Sequence, residues 1–384
     1  MTPVPLQLPL RPADAVSVAN LIFDLAEGKP LTGELRDRLS RRSSVLRLPS
    51  LTPYFGSLER DPVHPSTYYL AVDGENREPL LLHMAPANAP TSSLFSKPLL
   101  IGRMPRARGP EMVINCLPFG PSNPEAVARF AAGTDARLLP RPSGPKPSIV
   151  VESREPETDF PIALEAFRWI AKRGGKNLAA FEAGAELNAC AVWTAIRAGW
   201  REGYSLGTTM VLEDPENARE PVREPVACSR FTVAIGHALR TGVEFPRAVQ
   251  AAAASAGSIR QARAALKTGR SFDFELDLRE SPQPTSVEDL QFCLSWMKSR
   301  GVAVQSVAPE PGGIESLTEL AAVALPFGCT LTVGSRAAHD RESLAAIGRA
   351  TLGRVNYRLR TAELPASAND LADAIQQAAA HLYG

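Results

Sequence analysis

Eight strand-like runs fill residues 148–359, all but the third followed by an amphipathic or alanine-rich helical stretch, and they predict a (β/α)8 barrel preceded by a smaller α/β region. Two further observations support closure over a doubly wound open sheet. The eight units occupy about 235 residues, close to the ~250 typical of such barrels. In residues 271–280 (SFDFELDLRE), Phe272, Phe274, Leu276 and Leu278 alternate with Asp273, Glu275 and Asp277, the period of a strand. On a half-exposed sheet those acids would face water. In a barrel the apolar face packs outward on helices, and the acids point inward toward the catalytic end.

Taken in order, residues 13–27 read as a helix and 36–47 as a basic stretch. Residues 67–72 and 79–84 read as a hairpin across the turn Asp73-Gly74-Glu75-Asn76. Residues 85–96 (APANAPTSSLFS) read as a surface loop. Residues 97–103 and 112–117 add two short strands around a basic loop, 103–109, with Arg103, Arg106 and Arg108. A proline-rich connector, 140–147, separates this region (1–145) from the barrel (146–384). Barrel strands are expected at 148–152, 177–182, 205–212, 231–236, 271–278, 302–307, 330–334 and 354–359. Helices are expected at 160–173, 187–200, 246–267, 287–300, 315–324, 340–350 and 366–382. The acidic, proline-containing run 213–224 stands where the third helix should be.

Composition narrows the function classes. The protein has 384 residues, 44% hydrophobic and 22% charged, enough for a large core. Its net charge of +1 gives no general attraction to nucleic acid or membranes. Five scattered cysteines, Cys116, Cys190, Cys228, Cys293 and Cys329, form no CxxC pair, which argues against a zinc ribbon or disulfide framework. The start, MTPVPLQLPLRPADA, has no basic segment leading into an apolar run, and no stretch approaches the ~20 apolar residues of a membrane span. A cytoplasmic location is expected.

The candidate site residues follow from the strand ends. Glu275 suits a general acid or base whose pKa is raised by burial and by Asp273 and Asp277; the competing role is an interior ion pair with a barrel arginine. Glu152 and Arg154 close the first strand and Glu182 the second, so all three would face the same mouth. Asp277, and Arg358 near the end of the eighth strand, extend that set. Gly334-Ser335-Arg336 leads into a helix start where an anion could sit with Arg336, or where Asp340 merely caps the helix. His237 follows the fourth strand at mouth level and is, with Glu275, the candidate metal ligand.

The segment SFDFELDLRESPQPTS, with GVAVQSVAPEPGG after the next helix, resembles the tagaturonate epimerase family and its F-D-F-E-x-x-x-D-E-x-x-x-P-T-[ST] pattern. The resemblance extends weakly through AVWTAIRAGWREGYSLGTTMVLEDPE, GCTLTVGSR and Gly353–Tyr357. It implies a bacterial, metal-dependent barrel of carbohydrate metabolism, an isomerase acting on hexuronate-type sugar acids. The family's strand-five glutamate falls on Glu275. Its histidines fall near Leu290 and on Gly334, and its third-strand acids and histidine near Thr208, Thr209 and Met210, so the ligands of the implied divalent metal are not retained. Its first-strand Gly-Asp-Arg falls near Ser153 and Arg154, without the Asp.

Two functions follow as expectations. One is epimerisation of a sugar acid with Glu275 and Glu182 moving the proton, and Glu152, Arg154, Asp277, Arg336 and Arg358 holding the substrate. The other is a diverged, inactive barrel that binds a carbohydrate or small anion. A metal-free chemistry on Glu152, Glu182, Glu275 and arginines is a weaker third. A homo-oligomer is compatible with each.

Overall fold

The computed structural model describes residues 14–20, 51–73, 78–89, 99–106, 109–176, 178–184, 187–219, 228–265, 271–310, 312–334, 340–364 and 368–384. The protein divides into two compact units, Met1–Leu139 with Val192–Arg201, and Pro140–Ala191 with Glu202–Gly384.

The first unit is built on an antiparallel sheet of β1 (Leu51–Arg60), β2 (Thr67–Asp73), β3 (Pro79–Pro86), β4 (Leu99–Met104) and β5 (Met112–Pro118), in the order β1-β2-β3-β5-β4. Residues 14–20 are helical, and Ala15, Val18 and Ala19 join Leu51, Tyr69, Leu80, Leu82 and Ile114 in one core. β1 was not expected from sequence, because Pro53 and Gly56 interrupt its alternation. The register shifts between Tyr54 and Glu59, and a Cβ on Gly56 would stand 2.9 Å from the Ala198 carbonyl. Helix α1 (Pro124–Thr134) was missed too, although Asn123 caps it and Val127, Phe130 and Ala131 repeat at helical spacing on its buried side. Within the sheet, buried His83 bonds Ser66 Oγ through Nε2 at 2.9 Å and meets Asn115 Nδ2 through Nδ1 at 3.3 Å. Burial pushes its pKa down to about 4.

The second unit is the closed parallel barrel that the βα count predicts. Its strands are β6 (Ser148–Glu152), β7 (Ala179–Glu182), β8 (Ser205–Val211), β9 (Arg230–Ala234), β10 (Asp273–Asp277), β11 (Ser306–Ala308), β12 (Thr330–Gly334) and β13 (Val355–Arg360), each paired with its sequence neighbours and β13 with β6. The helices between them are α2 (Pro156–Lys172), α3 (Asn188–Ala198), α4 (Gly236–Arg240), α5 (Phe245–Ala264), α6 (Val287–Ser299), α7 (Ile314–Ala324) and α8 (Arg341–Ala350), with α9 (Ala368–Tyr383) at the end. After β8 the described residues form a 3-10 turn, Pro215–Arg219, within the acidic proline-containing run. No helix among the described residues is long and apolar enough to cross a membrane.

The barrel differs from the usual design inside. Such interiors are dominated by Val, Ile and Leu. Here the period of two turns Glu182, Arg230, Thr232, Glu275, Ser306, Thr332, Asn356 and Arg358 into buried positions. The outward set, including Phe181, Phe231, Phe274, Leu276 and Tyr357, is buried as well. At the N-terminal end the connector is stitched across the barrel. Asp273 accepts from the amides of Ser143 at 2.6 Å and Gly144 at 3.1 Å, and Thr330 Oγ1 donates to the Pro145 carbonyl at 2.8 Å.

Candidate functional site

The pivot of the interior is Arg358, 1% exposed. Its Nη1 lies 2.9 Å from Glu182 Oε1 and 3.8 Å from Glu152 Oε2, and its Nη2 bonds Glu275 Oε1. Arg230 adds a bond of 3.0 Å to Glu182 Oε2, and Thr209 donates to Glu182 Oε1. Glu275 is 0% exposed. Its Oε1 also accepts from Thr232 at 3.1 Å, and its Oε2 accepts from Ser306 at 2.8 Å and Thr332 at 2.6 Å. Four donors thus fill the roughly four acceptor positions of a carboxylate.

These partners set the electrostatics. Burial alone would raise the pKa of Glu275, but Arg358, then Arg230 and the Thr332 hydroxyl, outweigh it and hold the carboxyl at about 2. Glu182 shows the same balance: burial works upward, Arg358 and Arg230 pull harder, and the result is lowered. Arg358 is correspondingly raised, since Glu182 and Glu275 more than offset its burial. The expected upward shift of Glu275 is therefore corrected. Asp273 lies at the opposite end of the strand, bound to the connector, and Asp277 is taken by Arg279, whose Nε is 2.9 Å from its Oδ1.

Above this network, at the C-terminal ends of the strands, opens a cavity of about 780 Å3. Of the residues expected from sequence, Glu152, Arg154, Glu182, Asp277, His237 and Arg358 line it. Glu275 does not line it and lies under its floor, and Arg336 falls outside the described residues. His237 is a wall residue, its Nδ1 3.5 Å from Arg240 Nη2. The pairing of His237 with Glu275 as metal ligands is corrected as well, since every oxygen of Glu275 is already engaged. Among the described residues no group of three His, Cys, Asp or Glu side chains is placed to hold a metal ion. The donor set does not fit the divalent metal that the resemblance implies, because guanidinium groups stand among the buried carboxylates.

Sequence reading missed Arg230, Arg279, Arg360 and Glu310. Arg230 carried a signal: it is two residues before Thr232 on the inward face of β9. Arg360, likewise two residues after Arg358, reaches Glu152 at 3.2 Å and Glu363 at 3.6 Å. Arg279 and Glu310 sit in loops and carried none. Their placement comes from close approach. Gly236 has no room for a Cβ against the Arg279 carbonyl, Glu280 takes φ 67°, and the Glu280 amide donates to Glu310 Oε2 at 2.6 Å.

The sequence matches no protein-family model and no curated sequence. Among solved structures it is similar to the native fructuronate-tagaturonate epimerase UxaE from Cohnella laeviribosi, with TM-score 0.54 and 14% identity over 85% of this chain and 74% of that one. The same epimerase complexed with one glycerol gives TM-score 0.53 and 15% identity over the same shares. The likeness is one of fold. It places this protein beside a sugar epimerase barrel in architecture.

Proposed function

We propose that this barrel binds a small polyhydroxylated ligand of the sugar class in its mouth, and that Glu275 holds the barrel together instead of moving a proton on a sugar carbon. The observation that carries the reading is the saturation of Glu275: four donors on two oxygens, no exposure and a position beneath the cavity floor. A general acid or base must come within hydrogen-bond reach of the proton it moves and have a pKa near the working pH. Glu275 meets neither condition. Glu182, tied to Arg358, Arg230 and Thr209, is nearly as fully engaged.

Binding is supported by what the mouth retains. Its lining combines ion-paired carboxylates, guanidiniums and the hydroxyls of Thr208, Thr209 and Thr332, with apolar Val211, Leu317 and Val333 between them. That mixture of fixed donors and acceptors suits hydroxyl groups, which both give and take hydrogen bonds. Epimerisation of a sugar acid remains the second reading, favoured by the likeness of fold; it would need an acid or base other than Glu275.

The test is a panel of monosaccharides and polyols followed by thermal shift and by proton NMR in heavy water. A bound sugar raises Tm, Ala234→Trp, which fills the mouth, removes that rise, and the sugar keeps its carbon-bound hydrogens. Exchange of any such hydrogen with solvent, lost in Glu275→Gln, would restore the acid/base role and overturn the proposal.

A further inference from the structure

The base of the barrel, where strands begin and helices end, lies at the opposite end from the mouth. Four segments lead there into β11, β12, β13 and β6: 297–306 (MKSRGVAVQS), 321–330 (AAVALPFGCT), 347–356 (IGRATLGRVN) and the connector 140–147 (PRPSGPKP). All four lie wholly within the described residues, and none contains an acid. The stretch 266–270 of the preceding segment reads LKTGR and adds none. Lys146, Lys298, Arg300, Arg349 and Arg354 are exposed, with no carboxylate in ion-pair range among the described residues. Contacts set the segments side by side. Lys298 Nζ stands 5.6 Å from the centre of the Phe327 ring, and Thr330 Oγ1 donates to the Pro145 carbonyl at 2.8 Å.

Helix C-termini attract cations. That accounts for Lys298 and Arg349, in the last turns of α6 and α8, but not for Arg354 and Lys146, which lie outside helices. The net charge of +1 conceals this face, because the acids of these helices gather at their other ends. Glu288 and Asp289 open α6, Glu315 opens α7 and Glu342 opens α8.

Leu352 supplies a second, independent observation. It is 81% exposed and takes φ 53°, a left-handed conformation that is strained for a branched side chain. Its turn is fixed by bonds from the Leu352 amide to the Arg349 carbonyl at 3.2 Å, the Gly353 amide to Gly348 at 2.8 Å and the Arg354 amide to Thr351 at 2.9 Å. Glycine or asparagine would be less strained there and would leave no apolar side chain in water. In the neighbouring segment Leu325 is 47% exposed and Pro326 is exposed beside it. The base thus holds apolar side chains outward among unpaired cations.

We propose that this base docks reversibly on an anionic lipid surface, with Leu352 and Leu325 entering the headgroup layer and Lys146, Arg300 and Arg354 facing lipid phosphates. Apolar insertion and electrostatic attraction to anionic lipid add in such binding. Two-fold pairing of this face with a second copy would set cation against cation. Nucleic acid would engage the cations through its phosphates and leave Leu352 without a role.

The experiment is co-sedimentation of the intact protein with vesicles of phosphatidylcholine alone and of phosphatidylcholine mixed with phosphatidylglycerol. A duplex oligonucleotide is titrated in parallel. Binding is expected to the mixed vesicles only, and to weaken as salt is raised. Each cation at an anionic surface changes affinity by about fivefold, so Arg300→Gln with Arg354→Gln should weaken binding about tenfold or more. Leu352→Asn, which suits the left-handed turn, should keep Tm at or above wild type and weaken vesicle binding about tenfold. Three results would overturn the proposal: no binding to the mixed vesicles, equal binding to both kinds, or undiminished binding by Leu352→Asn. Tighter, salt-sensitive binding to the oligonucleotide than to the vesicles would overturn it in favour of a nucleic-acid surface.

Discussion

At the scale of single residues, the interior is governed by the rule that a buried charge is tolerated when it is paired and fully hydrogen-bonded, and is costly when one partner goes. Arg358 and Arg230 turn two inward glutamates into fixed anions, and small residues are required where those guanidiniums lie. A Cβ on Gly207 would stand 2.6 Å from Arg230 Nη2 and 2.8 Å from its Nε. Arg230 is 4% exposed and held by Glu182, so it cannot swing aside without breaking the network. Gly207→Ala is expected to cost about 2 kcal/mol or more in urea unfolding. Gly334→Ala is the control. Its Cβ would meet Arg279 Nη1 at 3.4 Å, an ordinary contact, and stability should stay within about 0.5 kcal/mol of wild type. Equal losses at the two sites would mean that the Arg230 pair is not held as described.

At the scale of the element, β10 shows what periodicity conveys and what it omits. The alternation in FDFELDL correctly puts Asp273, Glu275 and Asp277 on one side, inside the barrel. It carries no height. Two residues along a strand advance about 6.6 Å, so the three acids sit at three levels with three roles. Asp273 pins the connector at the bottom, Glu275 is sealed in the middle, and Asp277 faces the mouth with Arg279. Reading them as one acidic cluster gave the wrong sign for the Glu275 pKa. The cations that reverse it arrive from β9 and β13, 45 residues before and 83 after, and only closure brings them together. Arg230 was legible by the same period-two rule but fell one residue outside the expected strand. Loop residues such as Glu310 were not legible, because close backbone approach at Gly236 and the left-handed Glu280 position them.

At the scale of the whole molecule, the barrel was legible because eight βα repeats are a global pattern that survives errors of a few residues at strand ends. The first unit was less so, since β1 breaks its own alternation at Pro53 and Gly56. The two units also differ in their response to acid. His83 binds its proton only near pH 4 when folded and near 6.5 when unfolded, so it contributes stability above pH 6.5 that is lost as pH falls toward 4. Glu275 stays ionised down to about pH 2 when folded, against 4.5 ordinarily, so its contribution is intact above pH 4.5 and is lost only between there and about 2. Urea stability followed from pH 7 to pH 3 should decline first through the histidine window, and His83→Gln should lack that first decline. A wild-type profile flat down to pH 4.5 would contradict the buried, neutral state of His83.

The claim that binds these scales together is that Glu275 is a structural anion paired with Arg358. Its most direct test is urea unfolding of Glu275→Gln together with ligand titration of the folded variant. The account predicts a loss of about 3–5 kcal/mol, as for other broken buried pairs, with affinity of the remaining folded protein for its sugar-class ligand unchanged. Unchanged stability with loss of turnover on an identified substrate would contradict it and return Glu275 to the chemistry.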